Sequence, residues 1–320
     1  MNNILIVGAS GYIGSRLSYL LAKDGNNVTA LCYPNIPKDK KWCSLMKEVI
    51  LGDITSENVI KKITTQSYDV AIYLVSLDHN DSNKSPEFVN SINVLPVWNL
   101  LELFKTKKTL KRFIYFSTIH VYGNIESKIV EETHNTFPNK AYGLTHLMCE
   151  NICNMYNSSS DIDCINVRLS NSYGSPIFHN NNCWKLVVNE FCLSAFTKKR
   201  IELKSDGSAL RDFIHYTDIF NAIKLLMNYQ NSKMDNLFNL SYGKTISILN
   251  VLEKVKSIYK IRYGSNITSV MPNYKESTIK NKLETHIISN DKIKLIGFNQ
   301  EIDLETGINE LFDYLEYNEN

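Results

Sequence analysis

A short apolar run, Asn3 to Val7, stops at Gly8-Ala9-Ser10-Gly11-Tyr12-Ile13-Gly14, and helical spacing through Ile13, Leu17, Leu20 and Leu21 follows over Tyr12 to Lys23. This strand–turn–helix constrains the chain more than any other feature. Glycines at 8, 11 and 14 suit a tight turn, a close approach of another molecule to the backbone, and close packing of helix on strand. The first N–H groups of the helix have no partner within it and sit at the positive end of its dipole. Side chains there would keep an anion away; glycines let one in. A glycine-rich turn without a ligand is the bland alternative. The position after a strand and at the opening of a helix favours a dinucleotide pyrophosphate site, with Gly8, Ser10, Gly11, Tyr12, Ile13 and Gly14 contributing to its cradle.

Short apolar runs recur at Val28 to Cys32, Val70 to Val75, Arg112 to Phe116 and Asp163 to Leu169, and helical spacing covers Phe88 to Phe104 and Tyr142 to Tyr156. Short strands separated by helices are parallel strands buried on both faces, which predicts an α/β fold, a Rossmann doubly wound parallel sheet. Past Asn171 the alternation breaks down. Residues 171–208 read as loop-rich, with a polar run from His179 to Asn182. Residues 209–234 read as a return to the main domain, and a strand (Leu237 to Leu240) and a helix (Ser247 to Tyr259) open a C-terminal region. The expected organisation is a dinucleotide-binding domain over 1–170 plus about 209–234, with a smaller interleaved substrate-binding lobe over about 171–208 and 235–320.

Bulk properties narrow the function. With 320 residues, 43% of them apolar, the chain can bury a sizeable core. A net charge of +2 with scattered basic residues gives no stripe for nucleic acid. No apolar stretch approaches the ~20 residues that span a bilayer, and the apolar run at Ile4 to Val7 is too short for an export signal, so a cytoplasmic location away from membranes is expected. Seven irregularly spaced cysteines suit reduced thiols.

Further segments carry a family resemblance. The GxxGxxG spacing, Leu51-Gly52-Asp53-Ile54, the run DVAIYLVS from Asp69 to Ser76, Asn93-Val94, FSTIHVYG from Phe116 to Gly123, RLSNSYG from Arg168 to Gly174, LRDFIHYTD from Leu210 to Asp218, and Phe238-Asn239-Leu240 follow one another over roughly residues 1–260. In this order they resemble the extended short-chain dehydrogenase/reductase superfamily, the branch of nucleotide-sugar epimerases, dehydratases and reductases. The resemblance implies that Asp53 and Ile54 hold the adenine, and that Leu74 and Val75 lie beneath the cofactor. It places Ser76 near the reacting sugar, and assigns Asn171 and Arg211 to the sugar or diphosphate of the substrate. A guanidinium fork suits phosphate; a salt bridge of Arg211 with Asp212 or Asp218 is the alternative. Dimerisation through the helices containing Phe88–Phe104 and Tyr142–Tyr156 is implied as well.

The same resemblance makes Tyr142 the general acid/base and Thr118 the hydroxyl that shares its target oxygen. The family places a lysine four residues after the tyrosine; this chain has His146. Positions i and i+4 share a helix face, so His146 can point where the lysine would and donate to the cofactor ribose, as a weaker cation with an unperturbed pKa of about 6.5. Either it replaces the lysine, which the presence of Tyr142 and Thr118 favours, or the protein binds without turnover. His146, Cys149 and Cys153 also share a face; with no fourth ligand nearby, no metal is expected. Family dehydratases carry acids where this chain has Ile119 and His120, which disfavours dehydration. The end of the second strand holds Cys32 and Tyr33 rather than an acid, and Arg16, Lys38, Lys40 and Lys41 are available to a 2′-phosphate, so NADP is favoured over NAD. The resulting expectation is an NAD(P)-dependent oxidoreductase that reduces a keto-sugar nucleotide for surface-glycan synthesis. The alternatives are a 4-epimerase with tightly held NAD and a non-catalytic sensor of dinucleotide or sugar nucleotide.

Overall fold

The structure, a computed structural model, describes residues 1–320 except 126, 231–234, 273–285 and 320. The first half alternates β1 (Asn3–Val7), α1 (Tyr12–Lys23), β2 (Asn27–Cys32), α2 (Lys40–Leu45), β3 (Glu48–Leu51), α3 (Glu57–Ile63), β4 (Tyr68–Tyr73), α4 (Pro86–Asn93), α5 (Leu95–Lys107), β5 (Leu110–Thr118), β6 (Ile129–Val130), α6 (Ala141–Ser159) and β7 (Asp163–Leu169). There follow β8 (Asn171–Tyr173), α7 (Val187–Lys198), β9 (Arg200–Glu202), β10 (Leu210–His215), α8 (Tyr216–Asn228), β11 (Leu237–Leu240), β12 (Thr245–Ser247), α9 (Ile248–Tyr263), β13 (Thr268–Val270), β14 (Ile287–Ile288), α10 (Asp291–Leu295) and α11 (Leu304–Glu319).

Seven strands form one sheet in the order β11-β7-β5-β4-β1-β2-β3, and every pairing in it is parallel. Alternate residues of β1 enter opposite cores. Ile4 and Ile6 join Leu17 and Leu21 of α1 and Ile219 and Ile223 of α8, while Leu5 and Val7 join Leu100 and Phe104 of α5 and Ile152 and Tyr156 of α6. The doubly wound sheet expected from the sequence is the fold of the chain. Its strand order reverses direction between β1 and β4, and ligands of such sheets bind at that crevice.

Three details differ from the sequence reading. Phe88–Phe104 is two helices: Val94 departs to φ −109° and Pro96, which has no N–H, enters the start of α5. The segment expected to be loop-rich contains α7, whose Val188, Phe191, Cys192 and Ala195 pack with α9 and α11 into a separate core. β11, expected in the second lobe, is an edge strand of the main sheet, whereas β10 lies between β8 and β12 in a sheet of three.

The connection after β8 clamps the glycine loop. Tyr12 donates its hydroxyl to the Gly174 carbonyl (2.9 Å), and the Asn181 amide donates to the Ser10 carbonyl (2.9 Å). Arg16 donates to the Ser175 carbonyl (2.9 Å), the Ser175 hydroxyl (2.6 Å) and the Pro176 carbonyl (3.2 Å), with its guanidinium 4.2 Å from the centre of the Tyr216 ring.

Candidate active site

A groove of about 700 Å³ opens where β1 and β4 diverge, lined among others by Gly8, Asp53, Ile54, Val75 and Ser76. Gly11 caps α1 with no side-chain hydrogen bond, leaving the first helical N–H groups to a ligand. Gly8 has φ +92°, and a Cβ there would meet Val75 at 3.1 Å. At Gly14 a Cβ would lie 2.1 Å from the Gly8 carbonyl oxygen. Gly14→Ala is therefore expected to force the loop open and weaken dinucleotide binding about tenfold or more, read by fluorescence titration.

Beyond the loop, the Asp53 carboxylate accepts from the Thr55 N–H (2.9 Å) and hydroxyl (2.8 Å), both through Oδ1. Its other oxygen accepts no hydrogen bond among the described residues. Leu74 contributes backbone: its N–H donates to the Val7 carbonyl at 3.0 Å, and its side chain packs on the core. Cys32 is fully buried, so its thiol cannot meet a ribose, while Tyr33 is exposed. Arg16 is corrected: its guanidinium is committed to Ser175, Pro176 and Tyr216, and is not available to a 2′-phosphate. Lys38, Lys40 and Lys41 are exposed.

The chemistry gathers around Tyr142, one residue into α6. Burial raises its phenol above the ordinary value, and a hydrogen bond with Thr118, at the end of β5, pulls the other way. The hydroxyl therefore carries its proton at neutral pH. His146 follows one turn later with its ring centroid 4.7 Å from that of Tyr142, but its part differs from the one expected. Nδ1 lies 2.9 Å from the Tyr115 hydroxyl and Nε2 lies 3.1 Å from the Ser76 hydroxyl. Both ring nitrogens have partners in either tautomer. Burial first, then the neighbouring His120 and His79, push its pKa down to about 3. His146 is a neutral bridge between β5 and the loop after β4, not a weak cation for a ribose. Ser76, expected beside the sugar, lines the groove but spends its hydroxyl on His146 and the Leu77 carbonyl.

This bridge has a consequence for stability. The folded pKa of about 3 lies below the unfolded value of about 6.5, so unfolding takes up a proton between these limits. His146's contribution is complete above pH ~6.5 and is lost as pH falls, by about 1.4 kcal/mol per unit. Urea unfolding of His146→Gln between pH 6.5 and 4.5 is expected to show a pH slope smaller by one proton.

On the substrate side, Asn171 donates its amide to the Asp212 carbonyl (2.8 Å). The Asp212 carboxylate is used by the Ser170 hydroxyl (2.6 Å) and by the N–H groups of Tyr242, Gly243 and Lys244 at 2.8 to 3.1 Å. Asp218 is fully buried and accepts from the Glu301 N–H. Neither acid pairs with Arg211, whose guanidinium is exposed and touches only its neighbour's carbonyl, that of Leu210, among the described residues. The Arg211 guanidinium is thus uncommitted to any acid among the described residues. Asn93, by contrast, is structural: it accepts from Leu77 N–H and donates to Thr145. Cys149 donates its thiol to the Asn93 carbonyl.

Sequence reasoning missed Tyr115, Asn181 and His79. The last sits three residues past Ser76, with its ring centroid 4.1 Å from that of Tyr142. Nothing in local spacing marks it, because the turn after β4 brings it across the site.

Residues 4–241 match the NAD dependent epimerase/dehydratase family. A putative UDP-glucose 4-epimerase of Methanocaldococcus jannaschii is 24% identical over 318 residues, covering 98% of this chain and 99% of that protein. A trifunctional UDP-glucose 4,6-dehydratase/UDP-4-keto-6-deoxy-D-glucose 3,5-epimerase/UDP-4-keto-L-rhamnose-reductase of Arabidopsis thaliana is 24% identical over 99% of this chain, which spans 47% of that relative. Among solved structures, a UDP-glucose 4-epimerase of Thermotoga maritima with UDP-glucose superposes with a TM-score of 0.85 at 21% identity, covering 99% of this chain and 100% of that one. A Bacillus cereus UDP-glucuronic acid 4-epimerase with UDP-glucuronic acid and NAD gives 0.79 at 21% identity, over 98% and 99% of the two chains. The chain belongs to the NAD dependent epimerase/dehydratase family.

Proposed function

We propose that the chain is an NAD(P)-dependent oxidoreductase acting on the sugar of a nucleoside-diphosphate sugar, with reduction of a keto-sugar nucleotide as its reaction. The observation that carries this is that Ser76, which lines the groove at the β1/β4 switch point, bonds to His146, whose ring lies 4.7 Å from that of Tyr142, with Thr118 in reach of Tyr142 and the Arg211 guanidinium uncommitted to any acid among the described residues. A bound nicotinamide supplies or accepts the hydride. Thr118 holds the reacting oxygen, and Tyr142 gives it a proton in the reductive direction and removes one in the oxidative direction. Arg211, with Asn171 beside it, holds the diphosphate.

NADP is proposed over NAD because no acid stands at the end of β2 to repel a 2′-phosphate. With Arg16 committed elsewhere, attraction falls to Lys38, Lys40 and Lys41. A 4-epimerase retaining NAD is the second reading, favoured by the UDP-sugar 4-epimerases among the relatives and by the NAD in the Bacillus cereus complex. Titration with NAD⁺, NADH, NADP⁺ and NADPH, followed by incubation with UDP- and dTDP-sugars and their 4-keto forms, separates the readings. Net loss of absorbance at 340 nm marks reduction, and interconversion of 4-epimers without it marks epimerisation. Tight binding without either points to a sensor.

A second copy of the chain is proposed as partner. Leu144, Met148 and Met155 lie along one face of α6 and, with Trp98 of α5, are exposed apolar side chains. Sedimentation is expected to show a dimer, and Met148→Glu a monomer.

A further inference from the structure

Three imidazoles surround the Tyr142 ring: His79 at 4.1 Å, His146 at 4.7 Å and His120 at 5.8 Å between centroids. His146 is closed off, both nitrogens being occupied by Tyr115 and Ser76. His79 and His120 are different. They pack edge to face at 4.3 Å, both are exposed, and among the described residues no hydrogen bond uses their ring nitrogens. His79 comes from the loop after β4 and His120 from the turn after β5, where its backbone N–H donates to the Thr118 hydroxyl at 3.3 Å. The charged groups facing the pair are Lys140 at the start of α6, Arg211 on β10 and Asp78 beside His79. Tyr142 therefore has a neutral imidazole rather than a cation one turn along its helix, and two exposed imidazoles against its ring.

We propose that His79 and His120 are the proton-exchange partners of Tyr142, renewing its hydroxyl proton from solvent in place of a cation on α6. This rests on reading Tyr142 as the acid/base of the site. In reduction, the Tyr142 O–H bond breaks as the sugar O–H bond forms, and the hydride with its electron pair comes from the nicotinamide cofactor. The unprotonated nitrogen of the ring first takes a proton from hydronium or a buffer acid, and the imidazolium so formed passes the proton of its other N–H through one bridging water to the phenolate oxygen. The ring ends neutral, and one solvent proton has been consumed. A neutral imidazole has the donor and the acceptor this needs.

The test follows Tyr142 itself. Protein labelled with 13C at tyrosine Cζ is titrated by NMR, the Tyr142 signal being assigned by its loss in Tyr142→Phe. His79→Ala and His120→Ala, singly and combined, are compared with the glutamine variants, which keep an N–H donor. Tyr142 is expected to titrate about one unit higher in the combined alanine variant and to return toward wild type with glutamine. With a sugar nucleotide that the wild type turns over, kcat falls about tenfold or more while KM changes little. An unchanged Tyr142 titration in the alanine variants, with unchanged circular dichroism, overturns the proposal. Both side chains are exposed, so the single variants serve if the combined one misfolds. If the wild type binds no dinucleotide, the functional reading falls, and the titration still decides the role of the pair. If the wild type turns over and the histidine variants match it in rate and titration, the pair has no role and the functional reading stands.

Discussion

Tyr142→Phe is expected to lower turnover by about 10²- to 10⁴-fold, the usual contribution of a positioned general acid/base, while leaving dinucleotide affinity within about twofold. The substitution removes one oxygen and little else. The ring keeps its contacts with His79, His120 and His146, so the first turns of α6 stay in place. In the proposed function binding is carried elsewhere, by the glycine loop, Asp53 and the groove lined by Val75. A loss concentrated in kcat is the signature of a group that acts on the reacting oxygen, whereas a loss in KM alone would assign the phenol to uniform binding. Turnover retained within tenfold would remove Tyr142 from the chemistry and leave Thr118 and His120 as the remaining polar candidates at the end of β5. Burial raises the Tyr142 phenol, and neither His146 nor any lysine on α6 offsets this, so the resting site holds the protonated form that the reductive direction of the proposed reaction uses.

What was legible in the sequence was whatever depends on local pattern. The glycine loop could be placed because its three glycines, a strand before and a helix after are all neighbours in the chain, and β1, α1, β2 and β7 fall where the apolar runs put them. Tyr142 and Thr118 were named through the resemblance alone, and their side chains are hydrogen-bonded to each other. Side-chain allegiance was not legible. Arg16 sits two residues past the last glycine, and spacing alone cannot show that its guanidinium reaches 159 residues along the chain to Ser175. His146 occupies the right helix face, but its protonation is decided by burial and by Tyr115 on the adjacent strand, a contact across 31 residues. α7 escaped notice because its apolar face packs on α9 and α11, elements more than fifty residues away, and the polar run His179 to Asn182 before it reads as loop. Helical spacing held across Phe88–Phe104, and only the backbone at Val94 and Pro96 revealed the break.

The largest effect on stability is expected at Glu150, which faces the sheet from α6, eight residues (about 12 Å along the helix) beyond Tyr142. Its carboxylate accepts from Arg168 of β7 through Nε (3.0 and 3.2 Å) and a terminal nitrogen (2.7 Å), and from the Ser117 hydroxyl of β5 (2.5 Å). The side chains of Arg168 and Glu150 are only 5% and 4% exposed. Arg168 also lies over the Tyr122 ring at 4.7 Å and donates to the Glu132 carbonyl at 3.3 Å. Glu150→Ala leaves this buried guanidinium without its ion-pair partner, and urea unfolding is expected to show a loss of about 3–5 kcal/mol. Replacing both partners by apolar groups of similar volume, Glu150→Leu with Arg168→Met, avoids the stranded charge and is expected to recover most of that loss. Recovery of stability without recovery of rate is the informative outcome. Ser117 precedes Thr118, and Glu150 lies on the helix that carries Tyr142, so the ion pair ties together the two elements that hold the Thr118 and Tyr142 hydroxyls. An apolar pair packs without directional bonds and lets α6 slide against β5. A double variant that is stable yet slow would show that this buried charge sets geometry at the site, whereas one that is stable and fully active would assign the pair to the fold alone.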